Sequence, residues 1–384
     1  MIYLDNSATT PLCEKAIEKI NVAIEHFGNP SSLHNVGFEA EKLKESARDA
    51  VMKALGVRKF SGDRLIFTSG GTEANNLAIF GSVYSKPSNK GKKIITTDSE
   101  HPSVLTPFKT LEKEGYKVVY LSTKKGKIDL DEVKTAVDGD TVLISVMSVN
   151  NETGAVYNVK EIFTLAKRLN PKITTHTDCV QGFLKIPFSP TNVKADLVSI
   201  SSHKIHGPKG VGALYVSADT VKTKRLVPFI QGGGQEGNFR SGTENMLGIC
   251  GFGGACEQGL SKFEENTKKM AELKQYLIDN IGDSVNLNKP ENSAPHIINV
   301  TLPDIRSETM LHYLSKQDIY VSSGSACSSN HAKTASHVLL GFGLDAHTAE
   351  SSIRVSLSEN NTKEELDIFV SALKKGIEEL VHSK

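Results

Sequence analysis

The stretch Arg64–Tyr84, RLIFTSGGTEANNLAIFGSVY, decides how the rest of the chain is read. An apolar run of strand length, Leu65–Phe67, stops at the pair Gly70-Gly71. Thr72 then opens a segment with helical character, EANNLAIFGSVY. A strand that runs through glycines into a helix is the unit of an α/β sheet. It places a glycine turn and free N–H groups at the carboxyl end of the strand, where a phosphate can bind. The turn has a plainer reading too, a tight reversal with Thr72 as helix N-cap. It lacks the GK[ST] ending of a Walker motif and does not match GxGxxG.

Working outward, the same alternation repeats. Short apolar runs at 92–97 (KKIITT), 117–122 (KVVYLS), 141–147 (TVLISVM), 172–178 (KITTHTD), 196–202 (DLVSISS) and 212–216 (GALYV) are separated by helical segments such as NVKEIFTLAKRLN at 158–170. Seven strands alternating with helices predict an α/β domain with a mostly parallel sheet. Upstream, Ile17, Ile20, Ile24 and Phe27 recur at helical spacing, and Gly28 reads as the residue that ends that helix. A turn-rich NPSSLHN follows, and then a long amphipathic helix ending near Leu55. Beyond residue 255 the pattern changes. A long helix at 264–282 precedes two strand-like runs, HIINVTL and SIRVSLS. The chain closes with a helix opened by a capping box, Thr362 to Glu365, with Leu366, Phe369, Val370, Leu373, Ile377 and Leu380 on one face. This predicts a smaller α+β domain. The expected division is a large domain over 14–257 and a small one formed by 1–13 with 258–384.

Composition narrows the class. The 384 residues carry a formal net charge of +1, so no electrostatic footprint for nucleic acid or an anionic membrane is present. The N-terminus MIYLDNSATTP has no signal-peptide pattern, and no window is apolar for long enough to span a bilayer. Five irregularly spaced cysteines, Cys13, Cys179, Cys250, Cys256 and Cys327, argue for reduced thiols and a cytoplasmic location, and there is no CxxC or zinc-type spacing. No metal site is expected.

In open α/β sheets the ligand gathers at the carboxyl ends of the strands. His101 follows one strand, in EHPSV. Asp178 and Gln181 follow another, and Asp178 reads either as a helix cap or as a partner for a cationic ring nitrogen. Ser201, Ser202, His203 and Lys204 follow a third. Hydroxyls, an imidazole and one lysine at the end of a buried strand suit a phosphate beside an amine nucleophile able to form a Schiff base. Together with the Gly71-Thr72 turn they describe a pyridoxal phosphate site. Arg354, in SIRVSL, has a fork that fits a carboxylate bidentately. The segment Ser322–Asn330, SSGSACSSN, sets one thiol among small residues that offer it no apolar packing.

The chain resembles the cysteine desulfurases of the NifS/IscS type, within the class V aminotransferase-like, fold type I pyridoxal phosphate enzymes. The resemblance runs through YLDNSATT, GNPSSLH, TSGGTEANNLAI, EHPSV, NNETG, HTDCVQ, SSHKIHGPKGVGALY, GGGQEGNFRSGTEN, SSGSACSS and SSIRVSLSENNT, in the family's order. It implies a large domain with a seven-stranded, mostly parallel sheet and a smaller α+β domain carrying a loop over about 322–334. It implies that Lys204 carries the cofactor, that Gly71, Thr72, Ser201 and His203 hold its phosphate, and that Ser202 is among the cofactor-binding residues. Thr243 would reach the phosphate of a neighbouring subunit in a homodimer. His101 would stack on the ring and move protons, Asp178 would pair with the ring nitrogen and Gln181 with the phenolic oxygen. Asn150 would lie near cofactor and substrate, and Arg354 would bind the substrate carboxylate.

By the same resemblance Cys327 takes the sulfur of L-cysteine as a persulfide, leaving L-alanine. It passes that sulfur to an iron–sulfur scaffold or a tRNA- or cofactor-thiolating acceptor, with transient contact to a nascent cluster. A mobile tether of glycine and serine suits a thiol that visits both a cofactor and an outside partner. The alternative is a selenocysteine lyase or another class V enzyme, which needs no such cysteine. Two departures stand out. Cys179 occupies a position where many relatives carry Ala, and reads as a buried thiol turned away from the site. His331 and Lys333 follow Cys327 and could lower its pKa.

Overall fold

The chain begins with a two-residue strand, β1 (Ile2–Tyr3), and two helices, α1 (Glu14–Glu25) and α2 (Asn35–Ala54). Each of the seven apolar runs then forms a strand: β2 (Arg64–Thr68), β3 (Lys93–Thr97), β4 (Lys117–Leu121), β5 (Thr141–Ser145), β6 (Thr174–Asp178), β7 (Leu197–Ser201) and β8 (Gly212–Val216). The helices α3 (Gly71–Tyr84) and α4 (Pro102–Lys113) follow β2 and β3. The structure is a computed structural model that describes residues 1–86, 92–323 and 335–381, so Cys327, His331 and Lys333 lie outside the described residues.

The strands form one sheet in the order β2-β8-β7-β6-β5-β3-β4. From β7 to β4 all neighbours are parallel, and β8 alone runs opposite to both its neighbours. That single reversal leaves β2 pointing the same way as β7. The carboxyl ends of β2, β3, β5, β6 and β7 therefore share one edge of the sheet, which is where the site forms. Five of the seven strands are buried along their whole length, as expected for a sheet covered on both faces. β6 is polar in sequence (TTHTD) yet fully buried. Its His176 is satisfied within the sheet by Ser145 Oγ at 2.8 Å and Ser199 Oγ at 3.0 Å.

A second, antiparallel sheet has the order β12-β13-β10-β9. It is built from β9 (Asn286–Leu287), β10 (Ile297–Thr301), β12 (Ser322–Ser323) and β13 (Ser352–Ser356). Beside it β1 pairs in parallel with β11 (Ile319–Tyr320). The main apolar core lies around the large sheet, and a separate one gathers Leu4 with residues from Leu273 to Leu373. The last helix, Lys363–Val381, opens with the expected reciprocal box: Glu365 N–H donates to Thr362 Oγ1 and Thr362 N–H to Glu365 Oε2, both at 3.3 Å.

The N-terminal helix differs from its sequence pattern. α1 buries Ala16 and Ala23, and the Ile17–Ile24–Phe27 stripe faces outward, with Phe27 85% exposed. Small residues explain the choice. The helix Met246–Ser261 approaches so closely that a Cβ on its Gly254 would lie 2.4 Å from the Lys15 carbonyl oxygen. Gly28 does not end α1, which stops at Glu25. Instead Gly28 admits the α2 backbone, where a Cβ would lie 2.1 Å from the Val36 carbonyl oxygen.

Candidate functional site

A cavity of about 370 Å³ opens at the shared carboxyl edge. Of the residues singled out in the sequence, Gly71, Thr72, His101, Asp178, Gln181, Ser201, His203, Lys204 and Arg354 all line it. Asn150, Ser202 and Thr243 are not in its wall.

At one end, α3 starts at Gly71. Its first-turn N–H groups have no partners within the helix. The fit is close, since a Cβ on Gly71 would meet Val180 Cγ2 at 2.8 Å. Across from it lies Ser201, whose buried Oγ has no hydrogen-bond partner. His203 stands beside it, held neutral well below the usual imidazole range, at about 4, by burial and then by Lys204 and Lys209. Free N–H groups and an orphaned hydroxyl form a donor set suited to a phosphate.

One turn further along α3, Asp178 is fixed by two donors. Asn75 Nδ2 reaches its Oδ2 at 2.7 Å, and the Val180 N–H reaches its Oδ1 at 2.9 Å. Asn75 also donates to Ser103 Oγ at 2.8 Å, and Ser103 Oγ lies 2.8 Å from His101 Nδ1. One buried amide thus orients both the carboxylate and, through Ser103, the imidazole. Burial holds His101 below the usual imidazole range, with Asp178 pulling the other way. Lys204 Nζ donates to the carbonyls of Ser7 and Ala8 at 2.6 and 2.8 Å. Gln181 Nε2 also donates to Ser7, at 2.9 Å. A fixed carboxylate, a neutral imidazole, a lysine at the end of β7 and a phosphate-like cup are a set that fits pyridoxal phosphate.

Arg354 comes from β13 of the second sheet. Its Nη2 pairs with Asp5 Oδ1 and its Nη1 donates to the Asn151 carbonyl, each at 2.7 Å, while Nε is buried without a partner. That orphaned N–H is spare capacity for a further anion.

The residues outside the wall have clear occupations. The Asn150 side chain accepts from the N–H groups of Glu152 and Thr153, both at 2.9 Å, so it builds the turn that presents Asn151 and Glu152 to the cavity. Ser202 Oγ lies against Gly207, where a Cβ would come within 2.0 Å of it. Thr243 is exposed, in a segment pinned by Arg48–Glu236, Arg240–Glu73 and Lys44–Glu244 ion pairs. His203 and His206 diverge, the latter toward the Pro11 carbonyl and Glu359. Among the described residues no cluster of three or more His, Cys, Asp or Glu could hold a metal, and no helix is long and apolar enough to cross a membrane. Cys179 lies in the main core, its thiol pushed up to about 12 by burial.

Sequence reading missed Asn75, Asp5 and Glu152. Asn75 carries a signal in hindsight, because it is a polar residue one helical turn past Gly71 on a helix buried nearly all round. Asp5 and Glu152 have no local signal, since they reach the site from distant parts of the chain.

Known proteins resemble the chain in sequence and fold. Residues 2–369 match the family described as Aminotransferase class-V. A "Cysteine desulfurase IscS" of Dictyoglomus turgidum is 41% identical over 385 residues, covering 99% of this chain and 95% of that protein. A solved structure described as a "NIFS-LIKE PROTEIN" superposes with a TM-score of 0.89 at 37% identity, covering 99% of each chain. Another, "SspA in complex with cysteine", has a TM-score of 0.81 at 32% identity, covering 94% of this chain and 100% of that one. Sequence, cavity and relatives converge: the chain belongs to the class V aminotransferase family, among its pyridoxal phosphate-dependent cysteine desulfurases of the NifS/IscS type.

Proposed function

We propose that the cavity binds pyridoxal phosphate and L-cysteine together and that the chain delivers the substrate's sulfur to Cys327. The observation that carries this reading is the convergence in one cavity of Lys204, Asp178, the Gly71–Ser201 cup and Arg354. In it, Lys204 holds the cofactor, Gly71, Thr72, Ser201 and His203 its phosphate, Asp178 its ring nitrogen and Gln181 its phenolic oxygen. Asn150 and Ser202 support the wall from behind. The bound cofactor supplies an electron sink beside the substrate α-carbon. Arg354 orients the α-carboxylate, and the neutral His101 is in the form that can accept a proton. The Cys327 thiolate attacks the substrate sulfur: the S–S bond forms as the Cβ–S bond breaks, the bonding pair stays with the carbon fragment, and Cβ takes up a proton. The carbon leaves as the methyl of alanine and the enzyme keeps a persulfide. The relative captured with cysteine supports this choice of substrate.

The same reading makes the protein a cytoplasmic homodimer that feeds an iron–sulfur scaffold or a thiolating acceptor. Free cysteines at 13, 179, 250 and 256 support a reducing compartment. The outward apolar stripe of α1, together with Leu33, which is 90% exposed, supports a second subunit, and the exposed Thr243 is free to reach its cofactor. The working division of domains is 14–257 against 1–13 with 258–384.

The test is release of alanine and sulfide from L-cysteine under a reductant. Wild type is expected to yield both in equal amounts, and Cys327→Ala neither while keeping the cofactor's visible absorption. A Cys327→Ala enzyme that turns over cysteine like wild type would transfer the assignment to a lyase that needs no carrier thiol.

A further inference from the structure

Three carboxyls line the cavity. Asp5 is paired with Arg354, and Asp178 is held by Asn75 and Val180. Glu152 has neither arrangement. It is buried and forms no ion pair among the described residues. Its place is nonetheless fixed from several directions. Its N–H donates to Asn150 Oδ1 at 2.9 Å, and its carbonyl accepts from Asn299 Nδ2 at 3.3 Å. Its Oε2 accepts from Ser336 Oγ at 2.6 Å. Ser336 in turn caps the helix His337–Phe342 by accepting the Leu339 N–H. The residue before Glu152 supplies the carbonyl that anchors Arg354.

Among the described residues the charged group that acts on Glu152 is Arg354, from β13, which is itself paired with Asp5 of the N-terminal segment. Among the described residues the segment that opens the helix at His337 contributes the Ser336 hydroxyl. Burial, with no paired cation among the described residues, favours the neutral carboxyl. It pushes Glu152 up to about 7, against the pulls of the Ser336 hydrogen bond and of Arg354. A substrate carboxylate arriving at Arg354 cancels the arginine's pull, so Glu152 then holds its proton more tightly. Linkage is reciprocal, and an ionised Glu152 must weaken carboxylate binding by the same factor.

The geometry points to Glu152 as a positioning residue that acts by charge: neutral, it leaves Arg354 free to receive the α-carboxylate; ionised, it opposes it, so binding the amino acid takes up a proton. This rests on Arg354 being the carboxylate receiver. The probe is L-alanine, titrated into the cofactor-loaded enzyme and followed by visible absorption from about pH 6 to about pH 8.5. The ratio of wild-type to Glu152→Gln dissociation constants cancels any titration the two share. That ratio is expected to rise on the order of tenfold across the range. Ser336→Ala removes the donor to the carboxylate and is expected to move the wild-type weakening to higher pH. It also serves as the deciding variant if Glu152→Gln does not fold. An unchanged ratio, or a Ser336→Ala profile identical to wild type, overturns the inference. Arg354→Gln separates the two readings. If it binds alanine as wild type does, the carboxylate assignment itself falls. If it loses binding while the ratio stays flat, only the role of Glu152 falls.

Discussion

Asn75 shows how much of a site can hang on one uncharged side chain. Its Nδ2 serves Asp178 and Ser103 together, and through Ser103 it sets the His101 ring. Replacing it with Ala leaves two buried acceptors short of a donor, at a cost of about 1–3 kcal/mol. The same change lets Asp178 and His101 swing from their settings. Asn75→Ala is expected to lower the melting temperature and weaken cofactor retention, read by dialysis and residual visible absorption. If the holoenzyme keeps its cofactor as wild type does, Asp178 is positioned without Asn75. Residues of this kind are hard to read from sequence. Asp178, Lys204 and Gly71 are legible because each ends or follows a strand, and strand ends are where ligands bind. Asn75 sits inside a helix, where only the fold tells which direction it faces.

At the level of elements, the strands and their ends were legible because apolar runs of five residues separated by glycines and caps leave little choice. The two-residue strands β1, β9, β11 and β12 were not, because nothing local distinguishes them from loop. α1 was legible as a helix but not in its orientation. Its isoleucines form the more apolar stripe, yet close packing against glycines selects the alanine face. The segment 232–245 also belongs to this scale. Its Glu236 is almost fully buried, grips Arg48 through two bonds of 2.9 Å and accepts the Phe67 N–H at 2.8 Å. Glu236→Gln leaves the Arg48 guanidinium short of its buried partner and is expected to cost about 3 kcal/mol. A urea midpoint within error of wild type would show that the other two ion pairs pin the segment unaided.

For the whole molecule, buried titratable groups set the response to pH. Glu100 is fully buried behind His101, with one oxygen unpartnered, and burial pushes it up to about 8. The folded chain therefore keeps a proton that the unfolded chain loses near the ordinary carboxylate value. Stability is full below that value and falls as pH rises toward 8, by about 1.4 kcal/mol per unit. His176 and His203 act in the other direction. Burial holds them at about 3 and about 4, so they cost stability as pH falls below the ordinary imidazole value. Between the two ordinary values the sets oppose each other; above the imidazole value the carboxyls lower stability, and Lys274, held at about 8 by burial, opposes them only as that pH is reached. The melting temperature of wild type is thus expected to fall from about pH 6.5 to about pH 8, and that of Glu100→Gln to fall less. Equal slopes would mean that Glu100 is ionised in the folded chain.

The N-terminal segment holds a further consequence, one of timing. Ser7 and Ala8 receive Lys204, Asp5 holds Arg354, and β1 finds its partner only at Ile319–Tyr320. On a ribosome residues 1–8 emerge well before Arg354. The large sheet can form as soon as β8 has emerged, but residues 1–8 must wait for partners that follow it in the chain, at 319–320 and 354. The cavity is therefore completed only once Arg354 has emerged, and a nascent chain cut short before that residue has its large sheet but no guanidinium for Asp5 to hold.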